Sequence, residues 1–362
     1  MKSYFVITIG PAGSGKGYII EKLVNYINTN MENERVIDIK SFEYGRIDDY
    51  IEMDIDYIKA SMTTTIEKIL KNNDLYNYVQ HINDIESCIN EFNKNDNILQ
   101  SYNNNELLKQ LDNLSQDYAN NYFNIRKKYN AINDANINVW LHDRRNIVFE
   151  TTGSFNFDWM FTDENFLLSN GEVRKDYNII VVYPYVDTYI ILGRALGRFV
   201  KRVNDMLNNG IDMNTIDNDE IFVNYANKIK MGNTKIKFEA PRLPALVKGN
   251  YSILSSINAI QKNIAEYINK CNNNVNNNIN RLLIYDNQTS DPILSMNLQC
   301  INVNLFSNCN ILENFNKKYK HKLSIELVNA INNIYLQHCN NLHGGFYEKY
   351  LKYKKKYNTI KK

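Results

Sequence analysis

Ser3-Tyr4-Phe5-Val6-Ile7-Thr8-Ile9-Gly10-Pro11-Ala12-Gly13-Ser14-Gly15-Lys16-Gly17-Tyr18-Ile19-Ile20 reads as strand, turn and helix in succession. The first seven residues are almost wholly apolar and largely β-branched, the composition of a parallel strand buried on both faces. Gly10 to Lys16 then fits G-x-x-x-x-G-K. Such a loop has a mechanism: its glycines let backbone N–H groups converge on phosphate oxygens, the following helix offers its positive end, and the lysine ammonium reaches the outer phosphates. Tyr18-Ile19-Ile20, Leu23-Val24 and Ile27 recur at helical spacing, so the loop does open an amphipathic helix. The context confirms the motif, and a nucleoside triphosphate, ATP or GTP, is the expected ligand of Gly10, Pro11, Ala12, Gly13, Ser14, Gly15, Lys16, Gly17 and Tyr18.

Working outward, Val36-Ile37-Asp38-Ile39 predicts a second strand. Residues 49–142 hold no Pro and no Gly, and Leu107, Leu108, Leu111 and Leu114 recur at three and four, which predicts a helical insertion, most simply a hairpin. Strands follow at Asn146-Ile147-Val148-Phe149, ending in Glu150-Thr151-Thr152-Gly153, and at Asn178 to Tyr183, with a helix over about 187–207. A mixed stretch with Ala240-Pro241-Arg242-Leu243-Pro244, a helix over 252–270, an Asn-rich linker and a last strand Leu282-Leu283-Ile284-Tyr285 complete the pattern. Strands alternating with helices predict an α/β fold with a doubly wound parallel sheet. The expected organisation is a core over 1–48 and 143–299, the insertion over 49–142, a helical extension over 300–343 and a tail over 344–362.

Composition bounds the setting. Of 362 residues 44% are hydrophobic and 23% charged, as in an ordinary folded domain. The bias to Asn, Ile, Tyr and Lys is what AT-rich codons produce. The five cysteines (Cys88, Cys271, Cys300, Cys309, Cys339) form no C-x-x-C pair, and the only close pair, Cys300 and Cys309, has no His at ligand spacing. That argues against zinc and disulfides, so no protein-held metal cluster is expected, and a reducing compartment is. No basic-then-apolar leader opens the chain and no apolar run reaches the ~18 residues of a spanning helix. The expectation is a cytoplasmic protein with no membrane partner.

In a doubly wound sheet ligands bind at the carboxyl ends of the strands. Asp38, Glu150 and Asp286 fall at or near such ends. A carboxylate there can orient a hydroxyl or take its proton, or simply cap the next turn. Arg194, Arg198 and Arg202 recur at i, i+4, i+8, a guanidinium row suited to a transferring phosphoryl group or to solvent. Arg242, close to two prolines, is a further lid candidate. Gly17 stands where a Ser or Thr usually contacts Mg²⁺, so Mg²⁺ would be held by phosphates, waters and at most one carboxylate.

The Gly-Ser-Gly-Lys-Gly string resembles the adenylate kinase type of phosphate loop. With the Val36-Ile37-Asp38 run, the Phe149-Glu150-Thr151-Thr152 strand end, the arginine-bearing helix and Ile284-Tyr285-Asp286-Asn287, residues 1–50 and 140–295 resemble a P-loop kinase of the zeta-toxin-like group. The resemblance implies an ATP- and Mg²⁺-dependent phosphotransferase acting on a hydroxyl of a small acceptor such as a nucleotide sugar. It also implies a catalytic Asp in an I-D-x-D-like run. Here that run is Ile37-Asp38-Ile39-Lys40, with Lys40 in place of the second acid, so Asp38 or Glu43 takes the role or the base is missing.

From Phe346 onward seven lysines stand against one glutamate, +6 on a chain whose net charge is +2. Tyr347, Tyr350, Tyr353 and Tyr357 form an aromatic stripe beside them, after a Gly344-Gly345 hinge. The tail resembles those of many giant-DNA-virus proteins, which implies a viral source, in host cytoplasm or virion. It suits nucleic acid or a virion partner, or docking on its own protein. Three functions stay open: a zeta-type kinase with Lys16, Asp38, Glu150, Arg194, Arg198 and Arg202 as catalytic groups, a nucleoside or nucleotide kinase, and a non-catalytic nucleotide-binding virion protein.

Overall fold

Residues 2–30, 36–52, 54–92, 97–155, 158–212, 214–215, 243–249, 252–272, 279, 281–286, 292–297, 315, 317–319 and 321–342 are described by a computed structural model. Arg242, the linker over 273–278 and the tail over 344–362 lie outside the described residues.

Among these residues one sheet holds β1 (Ser3–Ile9), β2 (Phe42–Gly45), β3 (Asn146–Thr151), β4 (Tyr177–Tyr185), β5 (Arg281–Asp286) and β6 (Leu294–Asn297), in the order β2-β3-β1-β4-β5-β6. The first five are parallel, and β6 pairs antiparallel with β5. β1 lies between β3 and β4, where the chain reverses direction across the sheet. All five parallel strands therefore end on the same edge as the Gly10 loop.

Alternation along β1 explains the layers. Tyr4 and Val6 face α1 (Lys16–Asn30), whose Ile19, Ile20, Leu23, Val24 and Ile27 are buried against them. Phe5, Ile7 and Ile9 face the opposite layer, with each fully buried large side chain adding roughly 1.5–3 kcal/mol.

The described residues within 47–142 form α2 (Ile47–Ile51), α3 (Ile55–Leu70), α4 (Asn73–His81), α5 (Ile85–Asn90), α6 (Ile98–Asn104) and α7 (Glu106–His142), rather than a simple hairpin. The abundant Asn and Asp set these boundaries. The side chains of Asp54, Asn72, Asp84, Asn97 and Asn105 each accept from a backbone N–H in the first turn of the helix they precede. The long α7 belongs to two cores: Leu108 and Leu111 pack among the short helices, while Ile137 and Leu141 pack on the sheet.

Helices α8 (Trp159–Thr162) and α9 (Gly171–Lys175) lead from β3 to β4, and α10 (Thr188–Asn208) follows β4. The second sheet face is completed by α11 (Ile253–Asn272) and α12 (Ile325–Leu342). The buried Asp112 carboxylate in α7 accepts from the backbone N–H groups of Leu246, Val247 and Lys248, at 2.6, 3.4 and 3.3 Å. That clip fastens residues 243–249 to the short helices.

One strand expectation is corrected. Val36-Ile37-Asp38-Ile39 is not a strand: a 3₁₀ turn runs over Ile39–Ser41 and the strand is Phe42–Gly45. Asp38 caps that turn by accepting from Lys40 N at 2.9 Å, local chemistry that competes with sheet pairing. Val36 is 80% exposed, which a buried strand would not allow. The antiparallel β6 was not anticipated at all.

Asn133 on α7 is fully buried, and neither amide atom has a hydrogen-bond partner. An orphaned buried amide costs about 1–3 kcal/mol. Asn133→Leu is therefore expected to raise stability by about 1 kcal/mol, read from the urea midpoint, and a lower midpoint would contradict this account of the site.

Candidate functional site

The Gly10 loop leaves β1 with Gly10 N donating to Thr151 O at 3.2 Å, which ties it to the end of β3. Gly13 and Gly15 have φ of 95° and 85°, the left-handed region that only glycine enters without strain. At Gly13 a side chain would also meet the Ile191 carbonyl of α10 at 2.6 Å. The loop is thus seated on the first turns of α10. Ser14 Oγ donates to Pro11 O at 2.9 Å, and Gly15 O accepts from Tyr18 N and Ile19 N, which starts α1. Lys16 folds back over the loop, its Nζ donating to Gly10 O at 2.6 Å and Pro11 O at 3.2 Å. The ammonium therefore sits at the mouth formed by the loop's own backbone.

The neighbouring strand ends bring two more charged groups. Arg46 follows β2 and Glu150 lies near the end of β3; Arg46 Nε donates to Glu150 Oε1 at 2.5 Å, with the side chains 30% and 18% exposed. The guanidinium carbon also lies 4.4 Å from the centre of the Tyr44 ring. Burial, the largest cause, pushes the Tyr44 phenol above its ordinary value; the Arg46 charge opposes this, while Glu150 and Glu21 add to it. A Cβ placed on Gly17 would find Arg46 Nη2 nearest, at 3.9 Å. Lys16, Gly17, Arg46 and Glu150 consequently form one cluster at the ends of β1, β2 and β3.

The other strand ends are differently engaged. Tyr185 and Lys322 hold Asp187, and Tyr319 and Lys318 hold Asp286. Burial first, then the hydrogen bond to Asp187, drives the Tyr185 phenol well above its usual range. Lys318, Tyr319 and Lys322 therefore brace the ends of β4 and β5.

Of the residues expected at the site, the structure gathers Gly10 to Tyr18 with Glu150. Arg194 lies one turn beyond Ile191, the α10 residue touching Gly13, and is half-buried. Arg198 and Arg202 lie about 6 and 12 Å further along the helix. Asp38 is not brought to the loop. It precedes β2, at the amino edge of the sheet, where neighbouring Ile37 exchanges hydrogen bonds with Asn28 near the far end of α1. Glu43 is paired with Arg145 near the same edge.

Arg46 was missed by sequence reasoning. A basic residue directly after a strand that ends in glycine is a weak signal, and it was hidden by placing β2 several residues too early.

Position 17 offers no hydroxyl, and Glu150 is committed to Arg46. Among the described residues no group of three or more His, Cys, Asp or Glu is arranged to hold a metal ion. These side chains do not fit a Mg²⁺ ion bound by the protein beside the loop. Among the described residues no helix is long and apolar enough to cross a membrane. Comparison with protein families, curated proteins and solved structures found no match.

Proposed function

We propose that this chain is a P-loop phosphotransferase of the zeta-toxin-like kind, a small-molecule kinase that takes ATP as donor. The observation that carries the reading is the strand–loop–helix with left-handed Gly13 and Gly15 and Lys16 over its mouth, at the same sheet edge as Arg46 and Glu150. Loop amides and Lys16 hold the triphosphate, with Lys16 leaving Gly10 O and Pro11 O for phosphate oxygens of greater charge. Arg46, and Arg194 from α10, supply positive charge to the transferred group. Glu150 orients Arg46 and presents the nearest carboxylate to an acceptor hydroxyl. The acceptor is a small hydroxylated molecule such as a nucleotide sugar, bound over the ends of β2 and β3.

A second reading is a non-catalytic nucleotide-binding protein, of a virion if the chain is viral. It is favoured by the pairing of Glu150 with Arg46 and by the distance of Asp38 from the loop. The lysine-rich tail suits a polyanionic partner, nucleic acid or a virion component, under either reading.

Release of ADP from ATP, assayed with nucleotide sugars, nucleosides and nucleotides in turn, separates the readings. Transfer to an acceptor supports the kinase. Tight ATP binding with no transfer to any of them supports the second reading. Within the kinase reading Glu150→Gln is expected to keep ATP and lower transfer by about 10²-fold, the scale of a positioned acid–base group. Unchanged transfer would reduce Glu150 to a structural partner of Arg46.

A further inference from the structure

In a phosphate loop the residue after the lysine ordinarily carries the hydroxyl that binds Mg²⁺. Here it is Gly17, and the group flanking it is a guanidinium. Two neighbours fix that group, and its Nη2 lies beside position 17. Glu150 Oε1 accepts from Arg46 Nε at 2.5 Å, the Tyr44 ring lies under the guanidinium carbon at 4.4 Å, and Arg46 Nη2 would stand 3.9 Å from a Cβ on Gly17. Glu150 is thus bonded to Nε, and Nη2 is the guanidinium atom nearest position 17. A Cβ at position 17 would lie at ordinary van der Waals distance from Nη2, so the guanidinium stands beside the position where the hydroxyl would be.

A guanidinium keeps its charge at every working pH and offers parallel N–H groups matched to two phosphate oxygens. Held beside the loop, it neutralises polyphosphate charge where a loop-bound cation otherwise would. We propose that Arg46 replaces the loop-bound divalent cation in nucleotide binding, so that this chain holds a nucleoside triphosphate almost independently of Mg²⁺. This rests on the nucleotide reading above and adds to it the ionic form of the ligand: free ATP⁴⁻ as well as its magnesium complex.

The test is calorimetric titration of ATP into the full chain, in excess Mg²⁺ and in EDTA. The wild-type affinities are expected to agree within about threefold, because the arginine already neutralises the phosphates. Arg46→Ala is expected to lose about tenfold or more in EDTA and much less in Mg²⁺, the loss of a charge-assisted hydrogen bond being partly restored by the cation. Arg46→Lys, which keeps the charge and the fold but loses the fork, is expected to lie between. Gly17→Ser, whose Cβ fits beside Nη2 and whose hydroxyl restores the usual cation contact, is expected to bind more tightly in Mg²⁺ than in EDTA. Wild-type binding seen only with Mg²⁺ would overturn the inference and leave the nucleotide site standing. Equal losses for Arg46→Ala in both buffers would also overturn it. Absence of binding in both buffers would overturn the nucleotide reading along with it.

Discussion

Lys16→Ala is expected to reduce ATP affinity by about 10- to 150-fold in calorimetry while leaving the melting temperature near the wild-type value, since one charge-assisted contact to phosphate is worth roughly 1.5–3 kcal/mol. The two halves of this expectation have separate structural grounds. Lys16 Nζ donates to the loop carbonyls of Gly10 and Pro11, at 2.6 and 3.2 Å, and its side chain is part-buried on the loop and not in the core. Removing it exposes Gly10 O and Pro11 O to water, which satisfies them at small cost. With phosphate present the same ammonium is the loop's only lysine, and its loss leaves several negative oxygens facing a neutral side chain. Near-wild-type affinity would sink the phosphate-loop reading. Loss of affinity with a large fall in melting temperature would instead show that Lys16 supports the loop's fold.

The second large effect is expected at Gly193, in α10 and far from any phosphate. A Cβ there would lie 2.4 Å from Ile89 Cα and 2.7 Å from Ile89 N, atoms of the α5 backbone that cannot swing aside. Gly197, one turn later, has the same neighbour helix, with Ile85 Cα at 3.3 Å. The short helices are therefore attached to the sheet domain through a close crossing of α5 on α10. Cys88 is buried in that crossing, its thiol pushed up to about 12, chiefly by burial. In an open helix Gly→Ala gains about 1 kcal/mol. Here Gly193→Ala is expected to destabilise, and Gly193→Val to cost about 3 kcal/mol or more, because α5 must lift away from α10 and open the core beneath it. Urea unfolding measures this directly. A stabilising Gly193→Ala would show that the two helices do not cross closely. Since Gly13 rests on Ile191 only two residues earlier, the valine variant is also expected to disturb the loop.

How much of this was legible in the sequence depends on the range of the interactions. β1, the loop and α1 are specified by neighbours in the chain, through an apolar run, glycines and a helical stripe. β3, β4 and β5 announced themselves by the same apolar density. β2 did not. Phe42-Glu43-Tyr44-Gly45 is short and mixed in polarity, whereas Val36-Ile37-Asp38-Ile39 looks more like a strand but contains the Asp38 turn cap. β6 is a four-residue edge strand held by β5, and its sequence carries too little periodicity to read. The site followed the same rule. Lys16 and Glu150 stood at recognisable strand ends, but Arg46 gains its place only through the pairing of β2 with β3 and its ion pair with Glu150. The engagement of Asp286 by Tyr319 spans more than thirty residues, and that of Asp187 by Lys322 spans 135. Neither leaves a trace in local composition.

The central claim is that a nucleoside triphosphate lies on the Gly10 loop, beside the ends of β2 and β3. Hydrogen–deuterium exchange with and without ATP tests it most directly, because the loop amides would themselves become the phosphate ligands. The account predicts ATP-dependent slowing in peptides covering residues 10–19 and 44–50, abolished by Lys16→Ala. Unchanged exchange at residues 10–19 under saturating ATP, or slowing confined to the polar cleft that Gln80, Asn83, Lys201, Asn204, Asp205 and Asn208 line between α4 and the far half of α10, would contradict it.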